Sequence, residues 1–286
     1  MSPFARALIT AAALSAACSV LSVIVVLRRW AFVGEGISHA GFGGIGTGWL
    51  LSLAFPALGN SGAVYAIAVL FCIAMALSIG YVSRDYVAGE KVSPDSAIGI
   101  FLVASLAWGI LALKLYQRRY PNGGGSWENY LFGDINFISR QMMLVSLCIS
   151  AGVILTVIAL GKEILAYAFD PLLARVGGVR VAFIHYLLMV LLALTIVVGM
   201  RLAGNVLVTA LLVLPGATAL LLSRKLVNVM AISLAVGWIG GVGGLAFNHY
   251  IWPFLPSGPA MVLALFAQFV IAYATRRAFQ ARILRG

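Results

Sequence analysis

Glu35 and His39 stand four residues apart in "GEGISHAGFGG" (34–44), at the start of an otherwise apolar stretch. On a helix, residues at that spacing share one face. The carboxylate and the imidazole therefore project together, with Ser38 close to the same face. An ionisable residue inside an apolar segment marks a candidate functional site. A carboxylate oxygen beside a neutral imidazole suits a borderline divalent ion such as zinc, manganese or iron. Two groups are too few for a stable cage, whereas a symmetric dimer would present four around its axis. A site for an ion in transit gains from weak binding, because the ion must leave. In the structural alternative, Glu35 caps the helix or pairs with Arg28 or Arg29, while His39 bonds a neighbour. Spacing alone leaves both readings open.

Little else in the chain carries chemistry. Eight acidic residues and three histidines form no evident Ser/His/Asp arrangement, and no GxxxxGK[ST] phosphate loop occurs. Uphill transport would draw its energy from a partner or an ion gradient. His185 reads as a helix-packing residue. His249, in an outer connection, reads as a surface histidine, with contact to cargo or a partner as the alternative. Cys18, Cys72 and Cys148 are scattered in apolar runs without a CxxC and read as buried small hydrophobes. Beyond a tight turn at Met200 and Arg201, Asn205 and Thr209 are expected to hydrogen-bond between helices. Pro215 and Gly216, mid-span in "VLPGATA" (213–219), predict a break whose freed carbonyls must lie inside protein or along a cavity. Ala40, Gly44 and Gly48 form a small-residue stripe, as do Gly237/Gly241 and Gly240/Gly244. Such stripes let helices approach closely, and packing is their favoured role.

The elements that position these residues must cross a membrane. Of the 286 residues, 63% are hydrophobic and 9% charged, and the mean hydropathy is +1.06. Soluble domains carry about 25% charged residues. The chain reads as an all-α, polytopic membrane protein of eight or nine transmembrane helices in a single domain, 1–286. Nine runs reach spanning length, at about 7–27, 35–56, 61–83, 95–113, 140–160, 180–199, 203–223, 226–247 and 258–277. The second is the weakest, because a glycine-rich helix can break or re-enter. The first lacks a small-residue cleavage pattern and reads as a retained span.

The net charge of +11 points to a membrane rather than to nucleic acid, because the basic residues lie mostly between the apolar runs. Thirteen of the 19 Lys and Arg fall on one side, in the connections holding Arg28, Arg29, Arg84, Lys91, Lys162, Arg175, Arg180, Arg224 and Lys225 and in the tail. That side is expected to be cytoplasmic, with the N-terminus outside and the C-terminus inside. Tyr250, Trp252 and Phe254 then suit an outer aromatic belt. The outer loop 117–136 is polar and glycine-rich. The inner segment 161–180 is amphipathic: "FDP" offers Asp170 as N-cap and Pro171 as first helical residue, and "GG" (177–178) stops the helix. Such a helix either docks a partner or lies on lipid.

"LRRWAFVGEGISHAGFGG" (27–44) resembles the LRR-x-x-F-x-GDAxSHA segment of the membrane permeases of metal-ion ABC importers, the zinc/manganese/iron uptake family. "NYLFGDI" (129–135), "AFDPLLARVGG" (168–178), "AGNVLVTALLVLPGATA" (203–219) and "LPSGPAMVL" (255–263) resemble further segments of that family, in the same order. The resemblance implies a type II ABC importer fold in a bacterial cytoplasmic membrane. It also implies a second permease copy, cytoplasmic ATPase subunits, and an extracytoplasmic metal-binding protein that delivers cargo. No cofactor is held permanently; the metal ion is cargo. Residues 161–178 would contain the coupling helix held by the ATPase, with Phe169, Asp170, Pro171, Leu172, Ala174, Arg175 and Gly177 at the contact. Glu35 and His39 fall where the family has Asp and His, and Glu is one methylene longer. Gly44, Gly48, Asn205, Pro215 and Gly216 would pack helices or line the path. The rival reading is a self-contained, ion-coupled metal carrier, but apart from Glu35 the acids fall in loops or at span ends. A membrane scaffold or sensor is the non-transport reading.

Overall fold

The computed structural model describes residues 2–84, 94–121, 139–251 and 257–283. Among them every regular element is helical. Lipid offers backbone polar groups no partner, so a spanning segment must satisfy its own. The α-helices, in chain order, begin with α1 (Pro3–Leu27), α2 (Ala31–Ala54), α3 (Ser61–Arg84), α4 (Pro94–Arg119) and α5 (Arg140–Ala159). Two short helices follow, α6 (Gly161–Phe169) and α7 (Pro171–Val176). The rest are α8 (Val181–Ala203), α9 (Asn205–Leu222), α10 (Leu226–Trp238), α11 (Gly244–Ile251) and α12 (Ser257–Ile283). A π-helical turn, Ile239–Gly243, joins α10 to α11 into one unit. The nine apolar runs thus correspond to nine long helical units among the described residues. Lys91, residues 122–136 with the "NYLFGDI" segment, Trp252, Phe254 and Arg285 lie outside them.

Eight of these units are long and apolar enough to cross a membrane. The ninth, α2, is diluted by its glycines together with Glu35, Ser38 and His39. It is nevertheless one unbroken helix of 24 residues. At a rise of about 1.5 Å per residue it extends about 36 Å, enough for a hydrocarbon core of about 30 Å.

Lipid tails are as apolar as leucine, so close packing rather than a hydrophobic drive holds such helices together. α2 shows how. It lies between α3 and α4. A Cβ on Gly44 would stand 2.6 Å from the Cα of Ala68, and one on Gly48 would stand 3.1 Å from the Cα of Val64. A Cβ on Gly46 would stand 2.6 Å from the Gly109 carbonyl of α4. The stripe of small residues is therefore a packing surface. α1 is the other central helix, packed against α5, α9 and α10. Its Leu14, Leu21 and Ile24 are fully buried, alongside Ile37 of α2 and Leu188, Leu192 and Ile196 of α8.

Three expectations need correction. Pro215 does not break its span: α9 runs through it to Leu222. The Gly216 amide donates instead to the Ser22 hydroxyl of α1 at 2.8 Å, and a Cβ on Gly216 would stand 2.6 Å from the Ser22 carbonyl. The Pro–Gly pair makes a helix crossing with an interhelical hydrogen bond. Thr209 bonds the Asn205 and Val206 carbonyls of its own helix, so its polarity is absorbed locally. Cys18 and Cys72 are buried as expected, but Cys148 is exposed on α5.

Candidate functional site

α1 ends at Leu27, and two residues later Arg29 takes a left-handed conformation (φ 57°) while the Trp30 amide donates back to the Val25 carbonyl at 2.8 Å. This tight reversal starts α2 directly, and Glu35 and His39 follow on its first turns. Most of α2 is buried as far as Gly48, while Glu35 and His39 are only part-buried, at 38% and 18% side-chain exposure. Phe32, on the same stripe, is 65% exposed. One strip of an otherwise enclosed helix is left open, and the ionisable pair lies on it.

The pair is joined. His39 Nε2 lies 2.9 Å from Glu35 Oε1. Against an ionised carboxylate the nitrogen at that contact must donate, so the proton of a neutral ring sits on Nε2 and the lone pair on Nδ1. His39 Nδ1 is buried and has no hydrogen-bond partner. An orphaned lone pair on an imidazole held by a carboxylate is the arrangement in which a histidine binds a metal ion, the carboxylate fixing its tautomer and raising its basicity. Ser38 turns away, donating to the Glu35 carbonyl at 2.9 Å. Arg28 does not reach Glu35; it stacks elsewhere. Among the described residues no group of three or more His, Cys, Asp or Glu side chains comes together.

The amphipathic segment resolves into two helices. α6 buries Ile164, Tyr167 and Ala168 against the rest of the molecule. Asp170 then caps α7, its Oδ1 accepting from the Leu172 and Leu173 amides at 2.8 and 3.1 Å, with Pro171 at the first helical position. At the far end the Val179 amide donates to the Ala174 carbonyl at 3.0 Å, and the Gly178 amide to the Arg175 carbonyl at 3.2 Å. Gly178 has φ 85°, the conformation that this helix stop requires and glycine adopts without strain. Ala174 is buried, whereas Phe169, Leu172, Leu173 and Val176 are 64–87% exposed. With Phe169 at the end of α6, this six-residue helix presents an apolar face that no other described residue covers.

Residues 2–276 match the sequence model of the ABC 3 transport family. This chain belongs to that family. It is 34% identical over 268 residues to the manganese transport system membrane protein MntC of Halalkalibacterium halodurans, covering 94% of this chain and 85% of the relative. An iron transport system membrane protein of Haemophilus influenzae is 32% identical, covering 94% of this chain and 92% of that protein. The structure of PsaBC from Streptococcus pneumoniae in complex with Fab superposes with a TM-score of 0.75 at 29% identity, over 94% of this chain and 90% of that one. The inward-facing fold of a metal-chelate type ABC transporter is also similar, with a TM-score of 0.68 at 15% identity. The chain is a multi-pass membrane permease of the ABC transporter class.

In this ABC 3 permease the structure adds residues that spacing did not bring together. Arg28 stacks on Tyr167, 4.5 Å from the ring centroid, and lies 5.4 Å from that of Trp30. The Tyr167 oxygen lies 2.7 Å from His185 Nδ1, and His185 Nε2 lies 3.0 Å from the Gly80 carbonyl. His185 is thus a satisfied packing residue, as expected. Trp30 and Tyr167 were not foreseen, because positions 28, 30, 80, 167 and 185 share no local period. Burial pushes the Tyr167 phenol above its ordinary range; the Arg28 charge and hydrogen bond oppose that shift. Asn205 is buried with its Oδ1 unpartnered, and His249 is stacked on Phe4 with centroids 3.9 Å apart. His249 is exposed but held by that ring stack.

Proposed function

We propose that this chain is the permease of an ATP-driven importer that moves a divalent transition metal ion, manganese or iron in the first place, into the cytoplasm. The observation that carries this reading is the Glu35–His39 pair on the open strip of α2, with the His39 Nδ1 lone pair unpartnered. The family membership and the relatives named for manganese and iron transport support it. The ion is substrate. It meets His39 Nδ1, while Glu35 holds the ring and supplies negative charge. Among the described residues one chain offers only this pair, so a second copy of the permease completes the ring of donors across the dimer axis. A nitrogen–oxygen set generally binds manganese less tightly than iron, copper or zinc, which favours release after passage.

Energy comes from a separate ATPase subunit. α7 is the coupling helix: its exposed Leu172, Leu173 and Val176, with Phe169 at the end of α6 and Arg175 beside them, dock on that subunit, and Asp170 and Gly177 frame its ends. Ala174 faces inward and seats α7 on the permease. The excess of Lys and Arg in the connections on that side supports an α7 inside the cell, with a metal-binding protein delivering cargo to the opposite face. Uptake of manganese and iron by cells or proteoliposomes carrying the intact complex tests the reading. Metal-dependent uptake that disappears in His39→Ala, with the complex still assembled, is expected. Parental uptake by both His39→Ala and Glu35→Ala would overturn it.

A further inference from the structure

The Tyr167–His185 network touches four separate elements, and no step described so far uses it. Its polarity can be read from the atoms. The Gly80 carbonyl only accepts, so His185 Nε2 must donate to it, and the neutral ring then offers its Nδ1 lone pair to the Tyr167 hydroxyl. Arg28 Nη2 donates in turn to the Tyr167 oxygen at 3.3 Å. The result is a one-way chain from Arg28 through Tyr167 and His185 to the backbone of α3. Tyr167 is 2% exposed, His185 7% and Trp30 5%. Water therefore does not compete for the Tyr167–His185 and His185–Gly80 bonds, and each is stronger than at a surface.

Where the chain of bonds ends matters as much as its direction. Tyr167 lies on α6, three residues before the Asp170 cap of α7. Trp30 sits edge-on to His185, with centroids 5.4 Å apart and planes at 77°. It also immediately precedes α2, where its carbonyl accepts from the Val33 amide at 2.9 Å. From Trp30 to Glu35 is five residues, about 8 Å of helical rise. A displacement of α6 and α7 therefore bears on two places: the Gly80 turn of α3 and the start of the helix that carries Glu35 and His39. Gly80 is suited to its part. A Cβ there would stand 3.1 Å from His185 Nε2, crowding the ring away from the carbonyl.

We infer that Tyr167, His185 and Gly80 form a buried strut that transmits movement of the α6–α7 pair to α3 and to the base of α2, coupling ATP hydrolysis to metal passage. Tyr167 and His185 act as positioning residues; neither touches the ion. The inference rests on the function proposed above, and its test separates the two.

The complex that copurifies with the tagged chain is placed in proteoliposomes, and manganese uptake and ATP hydrolysis are measured in the same vesicles. Tyr167→Phe keeps the ring under Arg28 and removes only the hydroxyl. Gly80→Ala moves the imidazole. In both, the complex assembles and hydrolyses ATP, while manganese moved per ATP falls about fivefold, the order expected from one buried hydrogen bond. His185→Gln, which keeps a donor toward Gly80, retains more of the ratio than His185→Ala. A ratio unchanged in Tyr167→Phe and Gly80→Ala overturns the strut and leaves the proposed function standing. So does a parallel loss of hydrolysis and uptake at constant ratio, which would make these residues purely structural. A parental complex that moves neither manganese nor iron overturns the proposed function instead. The strut is then decided by hydrogen exchange at residues 30–36. ATP-dependent protection that vanishes in Tyr167→Phe supports it, and protection that persists overturns it.

Discussion

At the scale of single residues, the pair on α2 makes sharply different demands on its two members. His39 offers the pair's unpartnered lone pair, on Nδ1, so His39→Ala should remove uptake altogether while leaving the permease folded. Glu35 orients the ring, and carboxylates in that position typically change metal affinity or activity by about 10–100-fold. Glu35→Gln keeps the size and can still accept from His39 Nε2, but removes the charge. Uptake in that variant should fall by about tenfold or more, with an unchanged elution profile in detergent; parental uptake would reduce Glu35 to a helix-start residue. Glu35→Asp should retain transport in part, because one methylene fewer lengthens the reach to a ring whose position is set by α2. Competition between manganese and zinc in the same vesicles reads out whether that methylene bears on metal choice.

Individual elements carry their own expectations. α7 is a six-residue helix, far too short to persist by propensity, so its ends decide it. Removing the cap in Asp170→Ala should cost about 1 kcal/mol of local stability, seen as faster hydrogen exchange at Leu172 and Leu173. Gly178→Ala meets no steric obstacle but strains a left-handed residue by about 1 kcal/mol, and should produce the same loosening from the other end. Either variant should weaken retention of the ATPase without touching the Glu35–His39 pair. In α9, Gly216→Leu would drive a side chain into the Ser22 backbone. Its expected outcome is a lower melting temperature of the whole permease, because α1 and α9 share the central core.

For the whole molecule, the prediction concerns partners. The apolar face of Phe169, Leu172, Leu173 and Val176 is left uncovered by the other described residues. Tagged chain solubilised gently from its native membrane should bring down a phosphate-loop ATPase, and replacing those four residues with serine should lose it. Recovery of the chain alone under conditions that preserve other membrane complexes would favour a self-powered carrier. By itself, the sequence determined the class of molecule and most of its outline: nine spanning runs, the capped helix at Asp170–Pro171, its stop at Gly177–Gly178, and the shared face of Glu35 and His39. These are local properties, set by apolar length, cap chemistry and helical period, and they survive without knowledge of neighbours. Tertiary structure decided the rest. It made Pro215–Gly216 a crossing with Ser22 instead of a break, turned His39 Nδ1 rather than Arg28 toward the question of metal, and gathered Arg28, Trp30, Gly80, Tyr167 and His185 into one network. The physical reason is the same in each case: a hydrogen bond or a close approach between residues far apart in the chain depends on where helices cross, and no local period encodes a crossing.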